Sequence, residues 1–216
     1  AKPDNAHYRN QLVNVYVARH DLAAAAEALR VALAIMPTER TLLRRMSDVA
    51  ARRGEKAAAH EWAVQAVAAA PEDPASHAHL AWLHLSQDEF PAAEAAQRSA
   101  LDLAPGDQGM LLRMSDIAAR RGDMPAALSW VDRAVAARPD HPAGHLHRAW
   151  LHMSQSDLSA SEAALTTALA AEPDEGKRRR RLSDLAARRG DTAQAVEHAG
   201  RITTLWPFDA GGYDYL

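Results

Sequence analysis

The sequence predicts an all-α fold, a solenoid of antiparallel helix pairs, and three observations predict it. The first is a strict period. MSDVAARRG at 46–54 returns as MSDIAARRG at 114–122 and as LSDLAARRG at 182–190, each 68 residues further on. HLAWLHLSQ (79–87) and HRAWLHMSQ (147–155) lie between them, and Pro3, Pro37, Pro71, Pro105, Pro139, Pro173 and Pro207 recur every 34 residues. A fixed period of this size marks a repeat array, in which each unit buries its apolar face against its neighbours. The second is composition: 48% hydrophobic residues, rich in alanine, with only 10 glycines, which suits closely packed helices. The third is the near absence of β-branched and aromatic residues alternating with polar ones, the pattern of a half-buried strand.

With each repeat proline at frame position 32, six units run 6–39, 40–73, 74–107, 108–141, 142–175 and 176–209. Residues 1–5 and 210–216 read as partial flanking units, so the chain is expected to be one array, 1–216, cut from a longer protein.

Each unit divides into two helices. In the second, a first helix is expected over 41–53, with Leu43, Met46, Ser47 and Ala50 on one face at i, i+3, i+4 and i+7. Leu111, Met114, Ser115 and Ala118 repeat that stripe in the fourth unit. Gly54, Gly122 and Gly190 end these helices, because glycine tolerates the left-handed geometry of a C-terminal stop. Glu55, Asp123 and Asp191 follow where a carboxylate suits the positive end of the next helix. The second helix carries Ala59, Ala63, Ala66 and Val67 on one face, and Pro71 stops it. In the odd units Pro74 and Pro142 open first helices and Pro91 lies in the first turn of a second helix, where the missing N–H is no loss. Loops of two to four residues make neighbouring helices antiparallel.

Small residues complete the pattern. Ala25, Ala59, Ala93, Ala127 and Ala195 fill frame position 20, with Ser161 the exception; Ala32, Ala66, Ala100, Ala134 and Ala168 fill position 27, with Ile202 the exception. Paired helices in 34 residues, small residues at positions 8, 20 and 27, and proline at 32 resemble the tetratricopeptide repeat over nearly the whole chain. The family's Trp and Tyr slots in the first helix hold mainly Leu, His, Arg or Ala; Tyr16 alone matches the tyrosine. The resemblance implies a right-handed superhelix whose concave groove, lined by first helices, binds peptides or protein partners.

Helical geometry then sorts the outward residues. With the core at positions 4, 7, 8 and 11, positions 2, 5, 9, 12 and 13 are expected to line the groove. In the even units this flank is ionic: Asp48, Asp116 and Asp184 at position 9, Arg52, Arg120 and Arg188 four residues later, and Arg44 and Arg180 four residues before two of the aspartates. Such spacing fits an intrahelical ion-pair ladder of about 0.2–0.5 kcal/mol per pair; it also fits charges poised for a ligand. In the odd units Trp82 and Trp150 replace the aspartates, with Leu85 and Met153 at position 12. Outward indoles anchor partners, or lie against a neighbouring guanidinium. These twelve residues are the expected partner-binding set. Trp62 and Trp130 sit beside the core stripe and are expected to pack; Trp206 is expected at the junction to a following unit.

Other chemistry is thin. His77, His79 and His84 recur as His145, His147 and His152, but two helical turns separate the first and last of each set and His79 is expected to point elsewhere, so no metal site is expected. The KRRRR run at 177–181 is a solvated helix start or a site for an acidic partner. No Gly-rich phosphate loop, HExxH or GxSxG occurs, so neither catalysis nor a cofactor is expected. Net charge −3 argues against general nucleic-acid binding. No apolar run approaches a membrane span, and the lack of cysteine leaves cytoplasm and periplasm both open.

The expected function is a non-catalytic scaffold holding a peptide or protein in the concave groove. The alternative is the docking or glycan-binding segment of a larger bacterial polysaccharide synthesis or export protein, its indoles stacking on sugar rings. Twenty-two arginines against three lysines suggest a GC-rich bacterial genome. Self-association through the array ends is a further expectation.

Overall fold

The computed structural model describes residues 6–170 and 175–197, with side chains from residue 12 onward apart from 171–179 and Leu185. The chain forms two compact units, 1–121 and 122–216.

In the first unit α1 (Ala6–Ala18) pairs with α2 (Leu22–Ile35), α3 (Arg40–Arg52) with α4 (Lys56–Ala69), and α5 (Pro74–Ser86) with α6 (Phe90–Leu103), and α7 (Gln108–Arg120) packs on α6. The helix expected over 41–53 is therefore offset by a single residue. The predicted core stripe is buried: Leu43, Met46, Ser47 and Ala50, and likewise Leu111, Met114, Ser115 and Ala118. Small residues at position 20 bring the helices of a pair together, since Ala25, Ala59 and Ala93 have almost no exposed surface. Trp62 packs half-buried between two apolar clusters, one that includes Leu43 and Val49 and one that includes Ala59 and Leu83.

In the second unit α8 (Met124–Ala137) packs on α9 (Pro142–Ser154), α9 pairs with α10 (Leu158–Ala170), and α11 (Glu175–Arg188) adds Leu182 to the cluster of Ala149, Leu165 and Leu169. Residues 192–197 are helical. Trp130 is half-buried beneath the Arg133 guanidinium, 4.2 Å from its ring centre.

A hydroxyl latches several helix pairs. Ser47 Oγ donates to the Ala59 carbonyl at 2.7 Å, and Ser183 Oγ to the Ala195 carbonyl at 2.9 Å, from frame position 8 to position 20. In α9–α10 the roles reverse, with Ser161 Oγ at position 20 donating to the Ala149 carbonyl at 2.9 Å. The exception in the alanine column thus carries the same bond from the other helix.

The turns follow two rules. Gly54, Gly122 and Gly190 take φ of 78°, 83° and 78°, as the helix stops require. At the same frame position the odd units place His20, Asp88 and Ser156, with φ of 59°, 60° and 61°. A non-glycine residue is strained there, and no glycine marks these turns in the sequence. Asp123 and Asp191 cap the following helix, accepting from Ala126 N and Gln194 N at 3.0 Å. Glu55 stands at the cap position but accepts no such bond; it pairs with Arg53 at 2.9 Å instead.

Candidate functional site

Within the first unit the first helices α3, α5 and α7 line an open cavity of about 660 Å³. Thr41, Arg44, Arg45 and Asp48 face it from α3, Ala75, Ala78, His79 and Trp82 from α5, and Gly109, Met110 and Arg113 from α7, with Asp107 at the rim. On α3 and α5 these are frame positions 2, 5, 6 and 9, one face of a helix at i, i+3, i+4 and i+7.

Small residues make the space. Ala75, Ala78 and Gly109 occupy slots where a longer side chain would fill the gap between helices. A Cβ on Gly109 would stand 3.3 Å from Asp107 Oδ1, the oxygen that accepts from Met110 N at 2.8 Å to start α7.

The aromatic patch is His79 with Trp82, ring centres 5.6 Å apart and planes tilted by 34°. Trp82 is half-buried: it lines the cavity and also packs against Ala50, Ala59, Ala63 and Leu83. His79 Nε2 lies 2.8 Å from Ser47 Oγ. Burial pushes the imidazole down from 6.5 to about 4; Asp48 opposes that shift, and Arg44 and Arg113 reinforce it. The ring is therefore neutral near pH 7.

Ionic contacts hold the rim. Arg44 and Arg40 each lie 3.7 Å from Asp73 Oδ2. Burial raises Asp73, but its bond with the Ser76 hydroxyl, the charges of Arg44 and Arg40, and the Ser76 N–H outweigh that and hold it below the usual carboxylate range. Arg45 donates to Asn14 Oδ1 at 2.5 Å, a contact from α3 to α1.

Of the expected partner-binding residues, the cavity brings together Arg44, Asp48 and Trp82. Others lie elsewhere. Arg52 is exposed and pairs with Asp48 at 3.1 Å, the intrahelical bond its spacing suggested. Arg120 is exposed, bonds Asp88 Oδ1 at 2.6 Å and lies 5.9 Å from the Phe90 ring centre, so it braces the α5–α6 turn. Asp116 is half-buried outside the cavity lining. Leu85 corrects the expectation most clearly: it is a core residue, 7% exposed. Position 12 lies four residues beyond position 8 of the core stripe, about 40° from it around the helix, and so stays near the buried face.

In the second unit Trp150 is 47% exposed, with His147 beside it at 5.4 Å between ring centres and 45° between planes. Met153 and Arg180 are half-buried, and Asp184 and Arg188 are exposed. The side chains of 177–179 and all of Trp206 and Ile202 lie outside the described residues.

Position 6 was the slot missed. It holds Arg45 and Arg113 in even units and His79 in the odd one, all facing the cavity. The signal was available, because position 6 lies between positions 2 and 9 on one helical stripe. Three other histidines serve structure: His77 donates to the Pro71 carbonyl at 2.8 Å, His145 to the Pro139 carbonyl at 3.0 Å, and His84 Nδ1 meets Glu89 Oε2 at 2.6 Å. Among the described residues no group of three or more His, Cys, Asp or Glu is placed to hold a metal ion, and no helix is long and apolar enough to cross a membrane.

The tetratricopeptide repeat pattern matches residues 44–108, 107–142 and 146–210. The chain belongs to the tetratricopeptide repeat family. Its fold is accordingly all-α, built of paired repeat helices, and such repeats generally act as non-catalytic protein-interaction scaffolds. No curated protein sequence matches the chain. Among solved structures it is similar to PilW, described as a widely conserved type IV pilus biogenesis factor, at 17% identity and TM-score 0.72, covering 97% of each chain. It is also similar to Pseudomonas aeruginosa PilF at 16% identity and TM-score 0.68, covering 97% of this chain and 96% of that one. A third is YrrB, a tetratricopeptide repeat protein described as having an unusual peptide-binding site, at 16% identity and TM-score 0.53, covering 80% and 89%. At these identities the likeness is one of fold.

Proposed function

We propose that the protein is an interaction scaffold that binds a peptide segment of a protein partner in the α3–α5–α7 cavity. The observation that carries this reading is Trp82: a half-buried indole that lines an open cavity while arginine and aspartate side chains flank it. Indole and guanidinium groups dominate binding energy at protein interfaces. Trp82 supplies apolar contact, and Arg44 and Asp48 orient polar groups of the ligand. The description of YrrB as peptide-binding supports the same use of the fold. Trp150, exposed beside His147, is a separate candidate contact within the second unit.

The test is selection of a phage-displayed random dodecapeptide library on the whole protein. Recovered peptides are measured by fluorescence anisotropy against wild type and Trp82→Ala, with helicity followed by circular dichroism. A loss of tenfold or more with helicity retained supports the proposal. Recovered peptides that bind Trp82→Ala as tightly as wild type place the partner elsewhere.

A further inference from the structure

Two departures from the repeat rule meet at the start of α7. Frame position 24 is an apolar core slot, filled by Leu29, Ala63, Val131 and Leu165, all buried. In the third unit the same slot holds Gln97, on α6 and fully buried. Frame position 3 is buried at Leu42, Ser76 and Gly144, whereas Met110 in that slot is half-buried and lines the cavity.

A hydrogen bond joins the two. Gln97 Nε2 donates to the Met110 carbonyl at 2.9 Å. A carbonyl only accepts, so the amide nitrogen must face α7 and Oε1 is turned away from it. There Oε1 is buried with no hydrogen-bond partner among the described residues, an unfavourable state for an acceptor. Leucine or valine fills this slot in other units, so core packing does not call for an amide. On the other side of the residue, Asp107 Oδ1 accepts from Met110 N at 2.8 Å. Met110 is thus held at both of its peptide groups, and its side chain joins Trp82 in the cavity lining. A thioether is apolar and adaptable, and it packs well against aromatic rings.

We infer that Gln97 is a positioning residue for the cavity. By holding the first turn of α7 it keeps the Met110 side chain towards the ligand, where Met110 and Trp82 together receive one aliphatic or aromatic side chain of the bound peptide. This rests on the peptide-binding reading above.

The test has one arm without ligand and one with it. In the first, wild type and Gln97→Leu are treated with dilute hydrogen peroxide, and sulfoxide formation at each methionine is followed by mass spectrometry of proteolytic fragments. Met46 and Met114, 4% and 2% exposed, set the rate for a buried thioether. Met110 should oxidise about fivefold faster than these in wild type and slow towards their rate in Gln97→Leu. Thermal melting should show Gln97→Leu no less stable than wild type. In the second arm, a Trp82-dependent peptide from the dodecapeptide library is measured against wild type, Gln97→Leu, Met110→Ala and the double variant. Each single change should weaken binding by about tenfold, and the double variant by no more than the worse of the two, because Gln97 acts through Met110. Changing one apolar residue of the peptide to alanine should weaken wild-type binding by a similar factor and hardly affect Met110→Ala. Unchanged Met110 oxidation in Gln97→Leu, wild-type affinity in either single variant, losses that multiply in the double variant, or a Gln97→Leu protein that melts well below wild type overturns the inference and leaves the peptide-binding reading standing. Failure to recover any peptide that depends on Trp82 removes that reading and the inference with it, whatever the oxidation shows.

Discussion

His79 donates its Nε2 proton to Ser47 Oγ across 2.8 Å, because the hydroxyl proton of Ser47 is already committed to the Ala59 carbonyl 2.7 Å away. The chain imidazole, hydroxyl, carbonyl runs from the cavity wall into the core between α3 and α4. It fixes the tautomer of the ring and leaves Nδ1 as an acceptor.

This arrangement makes stability depend on pH in a defined window. Folding lowers His79 from 6.5 to about 4, chiefly by burial. Between those values the unfolded chain binds a proton that the folded chain refuses. The contribution is fully present above pH 6.5 and is lost as pH falls towards 4, a change of about 3 kcal/mol. His79→Gln, which can still donate to Ser47, should flatten this part of the profile in urea unfolding. Wild-type and variant curves that stay parallel from pH 7 to 4 would count against it.

Ser47→Ala removes the latch to the Ala59 carbonyl, which keeps its helical bond, and leaves the N–H of His79 without its acceptor. The expected cost is about 1–3 kcal/mol. Ser161→Ala removes only the latch to the Ala149 carbonyl, which keeps its helical bond, and should cost less, about 1 kcal/mol. Chemical denaturation of both variants at pH 7 checks the order.

The two indoles should separate in the same assay. Trp82 packs against Ala50, Ala59, Ala63 and Leu83, so Trp82→Ala should lower stability by about 1–3 kcal/mol. Trp150 is 47% exposed, and Trp150→Ala should cost less than about 1 kcal/mol. Equal losses would mean that exposure does not distinguish their roles.

Backbone strain gives a third pair. Ser156 is exposed with φ of 61°, so Ser156→Gly should stabilise the protein by about 0.5–1 kcal/mol. Gly54 has φ of 78° and open space around a notional Cβ. Gly54→Ala should therefore cost about 1–2 kcal/mol through the backbone alone. Melting temperatures moving in opposite directions would confirm both.

Much of the fold was legible because the period and the stripes are local. Leu43, Met46 and Ala50 are buried as their spacing requires, and the glycine turns have the expected positive φ. The site was legible in part. Arg44, Asp48 and Trp82 face the cavity, but Leu85 belongs to the core and Arg120 reaches Asp88. A helical wheel gives direction around the axis and says little of position along it. Arg120 lies in the last turn of α7, beside the α5–α6 turn, and so meets a neighbour's turn instead of a ligand. His79 and Arg113 share the stripe of positions 2 and 9 and could have been read from it; the bond of His79 to Ser47, on another helix, leaves no local mark in the sequence.

The reversed serine latch has an implication for how such a chain can change. Ser47 serves α3–α4 from one side and Ser161 serves α9–α10 from the other, so the hydroxyl is interchangeable between the two arms of a hairpin. Substitutions on the ligand-facing stripe leave that fastening intact. Modules that carry the latch thus differ in surface chemistry, Arg44 and Asp48 above Ser47 but His147 and Trp150 above Ser161, while the fastening beneath them is the same part; α5–α6, with Ala81 and Ala93 at those positions, holds without it.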